Sequence, residues 1–109
     1  MKIAYYLPEK VIANEELAAL YEGWTAEKIL SKTGIASRHV VAEDETALDL
    51  AEQAAKKLIV NDVHKEKIDF VLLCTQSPDY KLPSSACLLQ DRLGLSKVCG
   101  ALDFDLGCS

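Results

Sequence analysis

The chain has 109 residues; half of them are hydrophobic, 27% are charged, and the formal net charge is −5. This length and balance predict a single globular domain over residues 1–109 and exclude a disordered chain. The acidic balance argues against nucleic-acid and anionic-membrane binding, which need clustered Lys and Arg. No apolar run approaches the roughly 18 residues of a membrane-spanning helix.

The first two candidate elements lie before residue 22. The stretch "KIAYYL" is typical of a short strand, which Pro8 would end. The stretch "NEELAALY" predicts a helix with Asn14 as its N-cap, because the two acids that follow suit the positive end of a helix dipole.

The next two candidate elements precede residue 43. "TAEKILSKTG" predicts a helix that begins at its cap, Thr25, and stops at Gly34. "IASRHVVA" is rich in β-branched residues and predicts a strand.

The remaining elements alternate between helix and strand. "TALDLAEQAAKKLIV" has apolar residues at helical spacing, and "SSACLLQDRLGL" predicts a helix capped by Ser84 or Ser85. "IDFVLLCT" and "VCGALDFDL" are apolar runs typical of strands buried on both faces, between helix layers. This order predicts βαβ units and an α/β layered fold.

The cysteines indicate the compartment. The start, "MKIAYYLPEK", lacks a signal-peptide layout, so we expect a cytoplasmic protein with free thiols. Cys74 and Cys87 lie in apolar runs and are expected to be small buried core residues. The chain has no CxxC pair or Cys/His cluster, so we expect no metal site.

Cys108 directly follows the last predicted strand. In open parallel sheets this edge is where ligands bind, and a helix beginning there would stabilise a thiolate. Cys108 is therefore either a covalent nucleophile or a buried structural cysteine.

Four stretches in register resemble the N-terminal part of the beta-ketoacyl-acyl-carrier-protein synthase III family of thiolase-like condensing enzymes. They are "YLPEKVIANEEL", "ILSKTGIASRHVVAEDET", "PDYKLPSSACLLQDRLGL" and "ALDFDLGCS". In this resemblance Cys108 matches the family's nucleophile and Ser109 the small residue after it. The resemblance implies a thiolase-like fold and a chain that is the truncated N-terminal portion of a longer synthase.

The resemblance also implies an activity. The complete enzyme would be an acyltransferase of fatty acid biosynthesis that condenses acyl-coenzyme A with malonyl-acyl-carrier protein through an acyl-cysteine thioester. It would act as a homodimer without a bound cofactor, with coenzyme A thioester as substrate. The family's catalytic His and Asn come from beyond these residues; His39 and His64 match neither, so the chain alone is expected to be inactive.

The resemblance further points to residues that bind coenzyme A. At the position of the family's adenine-stacking Trp this chain has Lys28, and Lys32 occupies the position of a basic residue near the phosphates. Trp24 lies four residues before Lys28 and would replace the stacking ring, or else pack its helix onto the sheet. These departures argue against the usual acetyl primer.

Leu82 occupies the family position, often Phe, that reaches across the dimer into the partner's acyl pocket. It either admits a longer or branched primer or is an ordinary loop residue. Two other functions stay open: a stand-alone α/β interaction or scaffold module, and another thiolase-like acyltransferase such as a hydroxymethylglutaryl-coenzyme A synthase relative.

Overall fold

The computed structural model describes residues 1–61 and 64–106, without the side chains of residues 60 and 61. Its elements in chain order are β1 (Lys10–Ala13), α1 (Asn14–Ala18), α2 (Ala26–Thr33), β2 (Ser37–Val40), α3 (Ala47–Asn61), a 3-10 turn (Lys65–Lys67), β3 (Phe70–Cys74), α4 (Ser85–Arg92) and β4 (Gly100–Phe104). In this part of the chain, no helix has the length and apolar character needed to cross a bilayer.

The contacts divide the chain into two compact units, residues 7–44 and residues 1–6 together with 45–109. Compact units of this kind occur within domains as well as between them. The single domain that the sequence predicts over residues 1–109 therefore stays a prediction.

In the unit of residues 7–44, β1 and β2 pair antiparallel, and both ends of α2 lie where the sequence predicts them. The Thr25 hydroxyl accepts the Lys28 N–H at 3.1 Å. Gly34 ends the helix in the left-handed region, with a φ of +70°. A side chain is strained in that conformation, which explains why a glycine stands there.

The same unit corrects the prediction for Asn14. The N-cap of α1 is Ala13, and Asn14 is the first helical residue, 3% exposed. Its amide donates to the Ile35 carbonyl at 2.8 Å and accepts from the Arg38 guanidinium at 2.6 Å. Because these long-range partners occupy its side chain, Asn14 joins α1 to the segment around β2 instead of capping the helix.

The strand predicted over "KIAYYL" was wrong, since the first strand begins at Lys10, after Pro8. In the second unit, residues 1–6 are held by a side chain instead of by strand pairing. The Lys57 ammonium donates to the Tyr5 carbonyl at 3.0 Å and lies 5.4 Å from the centre of the Tyr6 ring.

The second unit contains the predicted strand–helix–strand order. Strands β3 and β4 are parallel, with Phe70 opposite Gly100 and Cys74 opposite Phe104, and α4 lies between them in the chain. A β-carbon added to Gly100 would lie 2.3 Å from a Phe70 ring carbon, so the ring occupies the space that any larger residue would need.

The core of this unit lies on one face of the β3–β4 pair. Val71 and Leu73 of β3 pack there against four buried leucines of α3, α4 and the turn after α4: Leu48, Leu89, Leu93 and Leu95. On the other face the apolar residues are 40–62% exposed: Phe70, Leu72, Leu102 and Phe104. The sequence predicts strands buried on both faces, and the described residues cover one of them.

Candidate functional site

The predicted nucleophile, Cys108, lies outside the described residues, which end at Leu106. The strands that lead to it are described. The Thr75 N–H donates to the Phe104 carbonyl at 3.1 Å, so the parallel pairing continues to the carboxyl end of both strands. The carboxyl ends of parallel strands form the edge of the sheet where ligands bind in α/β proteins.

A cavity of about 240 Å³ opens at this edge. Its lining combines hydroxyl, ammonium and carboxylate groups with two apolar surfaces: Thr75, Pro78, Tyr80, Lys81, Ser84, Asp103, Phe104 and Asp105. The cavity is therefore a recess with a mixed, largely apolar lining beside the strand end that precedes Cys108.

Asp103 joins this strand end to the start of α4. One carboxylate oxygen accepts the Ser85 N–H at 2.6 Å and the other accepts the Ala86 N–H at 2.5 Å. The Ser84 hydroxyl accepts the next free N–H, that of Cys87, at 3.4 Å. Together they satisfy the backbone donors that the first turn of a helix leaves without partners.

Sequence reasoning did not single out Asp103, although a signal was present. In β4 the exposed residues are Leu102 and Phe104, so Asp103 belongs to the alternate phase, which faces the helices. A carboxylate in the helix-facing phase of a strand must find hydrogen-bond donors, and the nearest are at a helix N-terminus.

The residues predicted to bind coenzyme A lie in the unit of residues 7–44. The Lys28 ammonium sits over the Trp24 ring, 4.9 Å from its centre, and donates to the Gly23 carbonyl at 2.8 Å. Lys32 is exposed in the last turn of α2, one turn beyond Lys28. The structure thus brings Trp24 and Lys28 into contact. Lys28 and Lys32 both lie on α2, and Trp24 lies just before it.

Trp24 is 42% exposed and borders an apolar cavity of about 340 Å³ within this unit. The other lining residues are Leu17, Tyr21, Ile29 and Thr33. The ring is thus neither fully packed nor fully free, and its stacking on adenine stays a prediction.

The chain is similar in sequence and in structure to known synthases. It is 45% identical over 105 residues to a beta-ketoacyl-acyl-carrier-protein synthase III of Xanthomonas euvesicatoria pv. vesicatoria, covering 95% of this chain and 32% of that protein. A crystal structure of a 3-oxoacyl-(acyl-carrier-protein) synthase III matches with a TM-score of 0.90 and 57% identity, over 99% of this chain and 32% of that one. The resemblance to the beta-ketoacyl-acyl-carrier-protein synthase III family is confirmed.

The synthase III structure of Thermus thermophilus also matches, with a TM-score of 0.86 and 36% identity over 97% of this chain and 32% of that chain. No family model matches. The fold class is therefore that of the thiolase-like synthase III enzymes, and the chain spans about a third of the length of the curated relatives it matches.

Leu82, the residue that the synthase III resemblance assigns to the acyl pocket, lies in the loop between β3 and α4. Its side chain is 85% exposed, and Ser84, the N-cap of α4, follows two residues later. Its contribution to a partner's acyl pocket stays a prediction.

Among the described residues, no cysteine or histidine lines the cavity. Cys74 and Cys87 are exposed, which corrects their prediction as buried core residues: Cys74 ends β3 on the open face of the sheet. His39 lies 2.6 Å from the Pro8 carbonyl, and His64 is an exposed partner of a glutamate. Residues 1–61 and 64–106 contain no group of three side chains suited to a metal.

Proposed function

We propose that this chain is the part of a beta-ketoacyl-acyl-carrier-protein synthase III that supplies its acylated cysteine, Cys108. The observation that carries the proposal is the match to a 3-oxoacyl-(acyl-carrier-protein) synthase III at 57% identity and a TM-score of 0.90 over 99% of this chain. The parallel β3–β4 pair supports it, because its carboxyl edge leads directly to Cys108.

The chemistry is a two-step acyl transfer. The Cys108 thiolate attacks the carbonyl of acyl-coenzyme A, the new C–S bond forms, and coenzyme A leaves with the electrons of the old one. Malonyl-acyl-carrier protein then loses carbon dioxide, and its carbanion attacks the Cys108 thioester. The 3-oxoacyl-carrier protein departs, and the Cys108 thiolate is regenerated.

The second step needs donors aimed at the enolate oxygen. The family resemblance assigns them to a His and an Asn beyond these 109 residues. We propose that the complete protein is a cytoplasmic homodimer that needs no bound cofactor or metal, with coenzyme A thioester as substrate.

The coenzyme A site is proposed along α2 and the residue Trp24 just before it. Trp24 offers an aromatic face and Lys32 an exposed ammonium for a phosphate. Lys28 competes for the Trp24 face, since its ammonium already lies 4.9 Å from the ring centre. An adenine that stacks there has to displace this cation–π contact.

The proposed function is tested with the complete protein, malonyl-acyl-carrier protein and a series of acyl-coenzyme A donors. We expect carbon dioxide release and a 3-oxoacyl-carrier protein from at least one donor, and neither product from the Cys108→Ala variant. If no donor gives product or an acyl-enzyme, the chain belongs to a non-catalytic module. If acetoacetyl-coenzyme A is converted to hydroxymethylglutaryl-coenzyme A instead, it belongs to the other class of thiolase-like acyltransferase.

A further inference from the structure

We propose that Asp103 is a positioning residue of the synthase reaction, because its carboxylate fixes the strand that leads to Cys108 against the helix that follows the Leu82 loop. This inference rests on the proposed function. Asp103 lies five residues before Cys108, and Leu82 lies three residues before Ser85, the first residue of α4. One side chain thus links the chain segments of the proposed nucleophile and of the proposed acyl pocket.

The link is built from two short charge-assisted hydrogen bonds. The two oxygens of Asp103 accept from Ser85 at 2.6 Å and from Ala86 at 2.5 Å. A carboxylate that spans two successive N–H groups of a helix also lies along the helix dipole, which favours its negative charge.

Burial leaves these two N–H groups no alternative partner. Ser85 is 1% exposed and Ala86 is 0% exposed, so with Asp103 in place their N–H groups have no contact with solvent. A buried donor that loses its acceptor bears the full cost of desolvation. Asp103 therefore adds two buried hydrogen bonds to the packing that holds β4 and the start of α4 together.

An amide at position 103 disrupts these two hydrogen bonds without changing the size of the side chain. In Asp103→Asn one oxygen becomes an NH₂ donor that faces an N–H donor, so one of the two bonds becomes a repulsion. A shift of about 1 Å between reacting groups costs about 10²-fold in rate. We therefore expect Asp103→Asn to lower kcat/KM per active site by roughly 10- to 100-fold.

A second variant removes the Ser85–Asp103 hydrogen bond by changing the helix residue instead of the strand residue. Ser85→Pro removes the N–H that donates to Asp103, and proline is well accepted at the first position of a helix. Ser84 already has an extended backbone, with a φ of −62° and a ψ of 148°, which suits a residue before proline. Ser85→Pro should therefore give part of the effect of Asp103→Asn.

The experiment compares Asp103→Asn, Ser85→Pro, their double variant and the matched control Asp69→Asn in the complete protein. Asp69→Asn removes the same charge at the other end of the same strand pair, where the Asp69 side chain is exposed. Active sites are counted by mass spectrometry of the acylated fraction. The readouts are kcat/KM per counted site for acetyl and octanoyl donors, and the ratio of the two.

We expect Asp103→Asn to change the donor ratio by about threefold or more, because Leu82 moves with the start of α4. The double variant should lose less than the sum of the two single losses, since both remove the same contact. A purely structural role would lower the melting temperature and the number of active sites, and would leave the ratio per site unchanged.

The inference is overturned if Asp103→Asn and Ser85→Pro both retain the per-site kcat/KM and the donor ratio of Asp69→Asn. Where Asp103→Asn yields too little folded protein, Ser85→Pro decides by the same criterion. Failure of the proposed function is a different result: the wild-type protein itself then forms no acyl-cysteine and no product with any donor.

Discussion

Leu82 is the residue whose replacement tests acyl specificity most simply. With 85% of its side chain exposed, it can change size without disturbing the described core. Leu82→Phe should favour short donors, because a larger side chain takes space from one end of the proposed pocket. One methylene accepted or refused is worth about 1–3 kcal/mol, or roughly 10- to 200-fold.

The measurement is kcat/KM of the complete protein for acetyl, butyryl, isobutyryl and octanoyl donors. We expect a wild-type preference for a donor other than acetyl, with a graded shift towards acetyl in Leu82→Phe. If wild type already prefers acetyl and Leu82→Phe changes no ratio, Leu82 is only a loop residue.

We propose that Lys28 acts at the other end of the donor, where all donors are the same. Lys28→Trp removes the ammonium from the Trp24 ring and adds a second aromatic face. Stacking of a base on an aromatic side chain is worth about 1–3 kcal/mol, so KM should fall by the same factor for every donor. A change that differs between acetyl and octanoyl donors would contradict an adenine contact.

At the scale of residues, the sequence indicates which side chains could bind or react, but not how exposed they are or which partners they contact. Trp24 and Lys28 are in contact, although Trp24 precedes the N-cap Thr25 and so lies outside the helix that the four-residue spacing assumed. The exposure of Cys74 could not be predicted, because it depends on which face of the sheet the described chain covers. Asp103 has partners on an element that begins 18 residues earlier, and no local pattern names them.

At the scale of elements, local signals predict α2 and α3 correctly, whereas the cap predicted at Asn14 was wrong. The cap at Thr25 and the left-handed Gly34 set the limits of α2, and helical spacing of apolar residues predicts α3. The first strand was misplaced because a strand exists only with a partner. Its partner β2 lies more than twenty residues away and pairs with Lys10–Ala13 rather than with "KIAYYL".

A charged network joins α3 to α4 and gives the stability of this element pair a pH dependence. The Arg92 guanidinium lies 2.7 Å from Asp49 and 3.2 Å from Glu52. The Thr46 N–H first, and Arg92 next, hold the pKa of Asp49 below its ordinary 3.8. Lys56 first, and Arg92 as well, lower the pKa of Glu52 from its ordinary 4.5.

Groups with a lowered pKa stabilise the folded state above their unfolded pKa, and this contribution is lost as the pH falls through the folded value. Arg92→Gln should therefore destabilise the protein near neutral pH, and the difference from wild type should shrink below about pH 4.5. Because these side chains are partly exposed, we expect less than about 1 kcal/mol.

The measurement is the melting temperature of wild type and of Arg92→Gln from neutral pH to below about pH 4.5. Lys67→Gln, at an exposed lysine, is the control. A difference between wild type and Arg92→Gln that grows as the pH falls would contradict the network.

At the scale of the whole molecule, the open face of the β3–β4 pair is an apolar surface that residues 1–61 and 64–106 leave uncovered. Phe70, Leu72, Leu102 and Phe104 are each between 40% and 62% exposed. Contiguous apolar surface of this kind promotes association. The 109-residue chain alone should therefore bind a hydrophobic dye and self-associate.

The double variant Leu72→Thr/Leu102→Thr should reduce dye binding and self-association, because threonine keeps the strand propensity and adds a hydroxyl to the open face. Val71→Thr, on the face that packs against the leucine core, is the contrasting variant and should increase dye binding. The measurements are dye fluorescence and sedimentation of the 109-residue chain. Equal dye binding by the wild-type chain and the Leu72→Thr/Leu102→Thr variant would contradict exposure of this face.

The central claim is that Cys108 accepts the acyl group, and mass spectrometry of the complete protein tests it most directly. After incubation with acyl-coenzyme A alone, digestion should place the acyl mass on the peptide that contains Cys108. Cys108→Ala should abolish the label, whereas Cys74→Ala, which removes an exposed thiol at the end of the neighbouring strand, should retain it. An acyl label that survives Cys108→Ala, or that disappears in Cys74→Ala, would contradict the claim.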